Sequence, residues 1–207
     1  MCADCKKLAQ EVQELENAGA DIFHIDIMDG NFIPDFGMGI QDVEAICRTT
    51  KKDVDVHLMI SNPGRYIKKF ADLGVNIIYI HPEIDQLPVR TLQTIKNLGK
   101  KAGLVISPQI AVETIIPLLN MADYVLVMTV SPGFAGQEYL DFVDDKVKQL
   151  VSLANKYDYK IIADGACSPE KIKKLGEKGV DGFVLGTSAL FNKNSSYKEI
   201  MQNLRDI

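Results

Sequence analysis

With 207 residues, 46% of them apolar, the chain is long enough to bury one sizeable core, and it reads as a single domain spanning residues 1–207. Its 23 basic and 28 acidic residues are dispersed and sum to a net charge of -5, so no electrostatic footprint for nucleic acid or an anionic membrane appears. No apolar run approaches the ~20 residues that span a bilayer, and Met1-Cys-Ala-Asp-Cys lacks a basic region followed by an apolar one, so a cytoplasmic protein with reduced cysteines is expected.

In chain order, Asp4 can cap a helix over 5–18, where Leu8, Val12 and Leu15 recur at helical spacing before Gly19. Cys2 and Cys5 form a C-x-x-C pair, but with no strand before it and no second pair to complete a zinc site they read as ordinary thiols. Apolar, β-branched strands are predicted over 22–26, 54–59, 77–81, 102–106, 124–129, 160–164 and 182–185. Helical patterns separate them over 40–48, 63–73, 87–98, 112–119, 139–156 and 169–178, with a last one over 197–205.

Strands that are apolar throughout and alternate with helices argue for a parallel sheet covered by helices. A doubly wound sheet would satisfy the pattern, yet no Gly-x-Gly-x-x-Gly turn follows any strand. A (β/α)8 barrel needs eight strands, and only seven are visible behind an opening helix.

The polar residues favour the barrel. His24 and Asp26, two apart, share one face of a strand, and His57 and Asp164 also close strands at the carboxyl end. Two imidazoles and two carboxylates converging on one rim suit a zinc, iron, manganese or cobalt ion. His81 also ends a strand and reads as structural or as a support behind the ligands. Glycine-bearing turns follow other strands on the same rim, at Ser131-Pro-Gly-Phe-Ala-Gly136, Gly165-Ala166 and Gly186-Thr-Ser188. Small residues there let backbone N–H groups approach an anion such as phosphate.

Longer blocks carry a resemblance. His24-Ile-Asp-Ile-Met-Asp-Gly30, Asp55-Val-His-Leu-Met59, Val127-Met-Thr-Val-Ser-Pro-Gly-Phe-Ala-Gly-Gln137, Ala163-Asp-Gly165 and Leu185-Gly-Thr-Ser-Ala-Leu-Phe191 together resemble the ribulose-phosphate 3-epimerase family. Within it, His81-Pro-Glu83, Asp164-Gly-Ala-Cys167 and Gly186-Thr-Ser188 look most like the D-allulose-6-phosphate 3-epimerase branch.

The resemblance implies a TIM barrel of the ribulose-phosphate-binding type whose first strand is largely missing at the N-terminus. That loss predicts poor solubility or an altered assembly. It further implies one divalent metal on His24, Asp26, His57 and Asp164, a phosphorylated ketose as substrate, and a homo-oligomer. The implied reaction is inversion at C3 of the ketose. Removing the C3 proton creates an enediolate whose charge the metal offsets, and Asp26 and Asp164 act as bases on opposite faces. Met28, Met59 and Met128 would shield the intermediate from water. Gly133, Phe134, Ala135, Gly136, Gly165, Ala166, Gly186, Thr187 and Ser188 would hold the phosphate, with His57 also against the substrate. The favoured pair is D-allulose 6-phosphate and D-fructose 6-phosphate; the alternative is D-ribulose 5-phosphate and D-xylulose 5-phosphate. More remotely, the chain is an inactive sugar-phosphate-binding protein. Orotidine-phosphate decarboxylase is disfavoured because Asp53-Val-Asp-Val-His57 lacks that enzyme's lysine.

Overall fold

The computed structural model describes residues 2–207. Seven strands form one sheet in sequential order: β1 (Ile22–Met28), β2 (Asp53–Met59), β3 (Ile77–Ile80), β4 (Lys101–Ile106), β5 (Tyr124–Met128), β6 (Lys160–Asp164) and β7 (Gly182–Phe183). Every neighbouring pair is parallel. Helices α1 (Leu8–Asn17), α2 (Ile40–Thr49), α3 (Ile67–Asp72), α4 (Pro88–Asn97), α5 (Val143–Tyr157), α6 (Pro169–Gly176) and α7 (Tyr197–Arg205) alternate with them. The result is a curled, TIM-barrel-like sheet. Among the described residues β7 and β1 do not pair, so the curl has an open seam between them.

Side-chain alternation sorts the core into two layers. Strand residues that point outward, such as Ile25, Val56, Ile78 and Leu104, pack under the helices, where Val43, Ile67, Leu92 and Leu150 meet them. Each fully buried aliphatic side chain contributes about 1.5–3 kcal/mol. Those that point inward, including Ile77, Tyr79, Val105, Leu126 and Met128, fill the interior. Gly103 on β4 makes room for one of them: a Cβ there would overlap the ring of Tyr79, its direct neighbour on β3. The ring of Tyr79 then lies inside the sheet's curl, its centroid 6.3 Å from that of His24 and 6.2 Å from that of Tyr124.

Local chemistry sets the ends of several elements. Ser168 and Ser196 cap α6 and α7 by accepting from the N–H groups of Lys171 and Glu199. The helix expected over 112–119 is instead two 3₁₀ stretches, Val112–Thr114 and Ile116–Met121. Pro117 accounts for the break, since it lacks an N–H and disfavours helical backbone at Ile116. Similarly, the segment expected as one helix over 63–73 opens with a 3₁₀ turn at Pro63–Arg65 before α3. Strand β7 is shorter than expected, although Val184 N–H still donates to Ala163 at 2.9 Å. No helix among the described residues is long and apolar enough to cross a membrane.

Candidate active site

The parallel register of β1 and β2 builds half of the site. It sets His24 beside Asp55, Asp26 beside His57 and Met28 beside Met59. Because alternate residues share a face, all six point inward at the carboxyl end. β6 brings Asp164 to the same point. One ligand atom each from His24, Asp26, His57 and Asp164 lies within 4.8 Å of the others. Nδ1 of His57 stands 3.3 Å from Asp26 Oδ1 and 3.6 Å from Asp164 Oδ2. Nε2 of His24 stands 3.4 Å and 3.8 Å from the same two oxygens.

Whether this cluster fits a metal can be judged from its unmet hydrogen bonds. Both nitrogens of His24 and Nδ1 of His57 are buried without an aligned hydrogen-bond partner. Buried polar atoms are rarely left so. Two of these atoms, His24 Nε2 and His57 Nδ1, face one oxygen each of Asp26 and Asp164, a set of two imidazoles and two carboxylates matched to a divalent ion such as zinc, iron, manganese or cobalt. The four residues can hold such an ion.

The carboxylates differ electrostatically. Burial alone would raise Asp26, but the two histidines beside it outweigh burial and hold it well below the usual carboxylate range. Asp164 is pushed up to about 7 by burial, with Asp26 and Asp55 adding to the effect against His24. His57 is depressed to about 4, by burial first. In the metal-free site the two carboxyls are thus pushed in opposite directions, Asp26 towards the ionised form and Asp164 towards the protonated one.

A cavity of about 540 Å³ adjoins the cluster and continues down the seam between β7 and β1, past Leu15, Ile22 and Phe183. His24, Asp26 and Asp164 line it, as do Met28, Met59 and Met128 and all three glycine-bearing turns. Only His57 among the expected site residues lies behind its wall, fully buried. Two of the three turns contain left-handed backbone. Gly133 has φ 112°, and a Cβ there would overlap Ile33 on the loop after β1. Gly165 and Ala166 both have positive φ, at 108° and 45°, which turns successive N–H groups at the start of the segment leading into α6.

Several contributors were not expected. Asp55 places Oδ1 2.6 Å from His24 Nδ1, an ion-pair contact rather than an aligned hydrogen bond. Its spacing of two from His57 is the signal that could have flagged it. Thr129, directly after β5, is buried and donates to the carbonyls of Asp164, at 3.1 Å, and Gly165, pinning the turn after β6. Asp29 accepts from Asn31 and Phe32 N–H on its own loop and from Ser61 N–H at 2.7 Å, tying the loops after β1 and β2 together. Sequence alone carries no signal for the last two, because each depends on contacts more than 30 positions apart.

A curled parallel sheet with polar residues at its carboxyl-end rim and a cavity beside them defines a barrel enzyme acting on a small molecule. Solved structures share the fold at low identity. A phosphoribosyl anthranilate isomerase from Thermus thermophilus superposes with TM-score 0.69 at 9% identity, covering 96% of this chain and 94% of that one. A 3-hexulose-6-phosphate synthase gives 0.66 at 13%, covering 97% and 93%. Sequence is more specific. Residues 1–191 match the profile of the ribulose-phosphate 3 epimerase family. The ribulose-phosphate 3-epimerase of Synechocystis sp. is 38% identical over 100% of this chain and 90% of its own length. That of Bacillus subtilis is 38% identical over 98% and 94%. The chain belongs to the ribulose-phosphate 3-epimerase family and is an isomerase, a carbohydrate-phosphate 3-epimerase by class.

Proposed function

We propose that the protein interconverts D-ribulose 5-phosphate and D-xylulose 5-phosphate, with Asp26 and Asp164 as the two bases and a divalent metal held by His24, Asp26, His57 and Asp164. The observation that carries this reading is the approach of Asp26 from β1 and Asp164 from β6 to a single nitrogen of His57, at 3.3 and 3.6 Å. Two carboxyl groups from different parts of the barrel wall can reach opposite faces of a planar intermediate, which inversion at one carbon demands. A divalent cation held by these four residues would offset the negative charge that develops on the intermediate.

One carboxylate takes the proton from C3, and the other delivers a proton to the opposite face. Met28, Met59 and Met128 surround the reacting carbon and keep water from it. Backbone N–H groups of Gly133, Phe134, Ala135 and Gly136, of Gly165 and Ala166, and of Gly186, Thr187 and Ser188 receive the phosphate. A reducing, cytoplasmic setting fits the four free cysteines.

The pentulose is favoured over the hexulose because the curated relatives at 38% identity named above are ribulose-phosphate 3-epimerases. The resemblance of short blocks to the D-allulose-6-phosphate branch makes the hexulose the substrate to test against it. C3 proton exchange in deuterium oxide, with metal-reconstituted protein and each ketose phosphate in parallel, decides between them. Faster exchange from D-ribulose 5-phosphate, with xylulose phosphate formed, is expected. Preference for D-fructose 6-phosphate overturns the substrate assignment, and binding of either without exchange points to a sugar-phosphate-binding protein. Asp164→Asn is expected to abolish epimerisation; unchanged turnover in that variant removes the two-base mechanism.

A further inference from the structure

Behind His57 runs a buried chain of polar groups that the epimerisation chemistry does not use. His57 faces the ligand cluster with Nδ1 alone; its Nε2 lies 2.7 Å from Nε2 of His81, which is itself fully buried. The two rings are nearly parallel, 19° apart with centroids at 4.9 Å. On its far side, His81 Nδ1 meets Glu83 Oε1 at 3.0 Å and Ser107 Oγ at 3.1 Å. Ser107 donates its hydroxyl to Glu83 Oε1 at 2.5 Å. Lys146, reaching across from α5, donates to the carbonyls of Ser107, Pro108 and Ile110 and fixes the segment that carries the serine.

With both imidazoles neutral, counting donors and acceptors along this chain leaves one arrangement. An ionised carboxylate only accepts, so Glu83 requires a proton on Nδ1 of His81. Neutral His81 then has a bare Nε2, which can only accept. The single proton between the two Nε2 atoms must therefore sit on His57, leaving Nδ1 of His57 as the atom with a free lone pair. That atom is the one turned towards Asp26, Asp164 and His24.

We propose that Glu83, acting through His81, sets the tautomer of His57 so that Nδ1 is held ready as a metal donor, which makes His81, Glu83 and Ser107 positioning residues of the site. The proposal rests on the reading of the four-residue cluster as a metal centre. It accounts for a fully buried pair of histidines that neither the barrel core nor the substrate cavity needs. Metal-bound imidazoles generally give their other N–H to a partner that fixes ring and tautomer, and loss of such a partner weakens metal binding by about 10- to 100-fold.

The test uses the full chain and two variants. Nitrogen-15 NMR of the histidine side chains in metal-free protein at neutral pH reads tautomers directly, and competition of Zn²⁺ against a chromophoric chelator reads affinity. In the wild type, His57 is expected as the Nε2–H tautomer. Glu83→Ala is expected to show a mixture of tautomers at His57 and about 10- to 100-fold weaker Zn²⁺ binding. Glu83→Gln keeps an acceptor for His81 and is expected to restore both readings to within a few-fold of wild type, which a merely structural role for the glutamate would not require. Wild-type His57 protonated on Nδ1, or a folded Glu83→Ala protein with unchanged tautomer and affinity, overturns the proposal. If Glu83→Ala does not fold, Glu83→Gln decides alone: a lost tautomer preference there, despite the retained acceptor, also overturns it. Wild-type protein that binds no divalent cation removes the metal reading instead, and with it the proposal, whatever the tautomers show.

Discussion

Asp55 sets a carboxylate oxygen 2.6 Å from Nδ1 of His24, its direct neighbour across the β1–β2 ladder. The contact leaves Nε2 of His24 facing Asp26 and Asp164. Asp55→Ala is expected to weaken metal binding and lower kcat/KM by about 10- to 100-fold each, with the fold intact. Chelator competition and steady-state kinetics on the same preparation check this. Wild-type affinity in the variant would show that His24 needs no such partner.

Removing the metal with a strong chelator is expected to abolish C3 exchange and lower the unfolding midpoint. Readdition of Zn²⁺, Mn²⁺ or Co²⁺ should restore both. An ion present at 100 times its Kd stabilises the folded state by about 2.7 kcal/mol. Paired scans with and without the ion measure that shift.

Gly133 combines φ 112° with a near-contact to Ile33. Gly133→Ala strains the backbone by about 1–3 kcal/mol and pushes the glycine-bearing turn after β5 away from the loop after β1. KM for the ketose phosphate is expected to rise roughly tenfold, more than kcat falls. Equal losses in both would place the turn's role in chemistry rather than in binding.

Gly103→Ala adds a methyl group where the Tyr79 ring already sits. Overpacking of this kind costs about 1–3 kcal/mol, which for a chain of this length lowers the melting temperature by about 2–4 °C per kcal/mol. The ring of Tyr79 lies 6.3 Å from that of His24, so activity is expected to fall as well. Thermal unfolding followed by circular dichroism is the direct check.

Asp144 accepts from Tyr139 at 2.6 Å and pairs with Lys174 and Lys178 at 2.6 and 2.9 Å. Its burial, which favours the acid, is outweighed by those three donors, so its carboxyl is held well below the usual range. A depressed folded-state pKa means that the stabilisation is fully present above the unfolded value, about 3.9, and is lost as pH falls through the folded one. Asp144→Asn is expected to cost about 1 kcal/mol at pH 7, with the difference from wild type shrinking below pH ~4. Urea titrations at pH 7 and pH 3 measure it.

The architecture was legible because its signals are local. The continuous apolar runs of β3 and β5 announce a parallel sheet, and the two-residue spacing of His24 and Asp26 announces a shared face. What escaped depends on contacts between distant positions. Asp55 looks like one more strand residue until β1 is laid beside it, and Thr129 and Ser107 acquire roles only through Gly165 and His81. The 3₁₀ turns at 112–121 were hidden because their apolar spacing imitates a helix, although Pro117 carried the warning. Substrate choice is the least legible feature, since one hydroxymethylene is accepted or rejected by few contacts.

The seam between β7 and β1 turns the barrel into a split hoop. Among the described residues β1 is laddered on one flank only, yet it carries both His24 and Asp26. Asp164 sits on β6, one strand in from the opposite lip. Anything gripped by these three residues together spans the split as a rivet spans a cut ring. Occupancy of the site is then expected to stiffen the hoop.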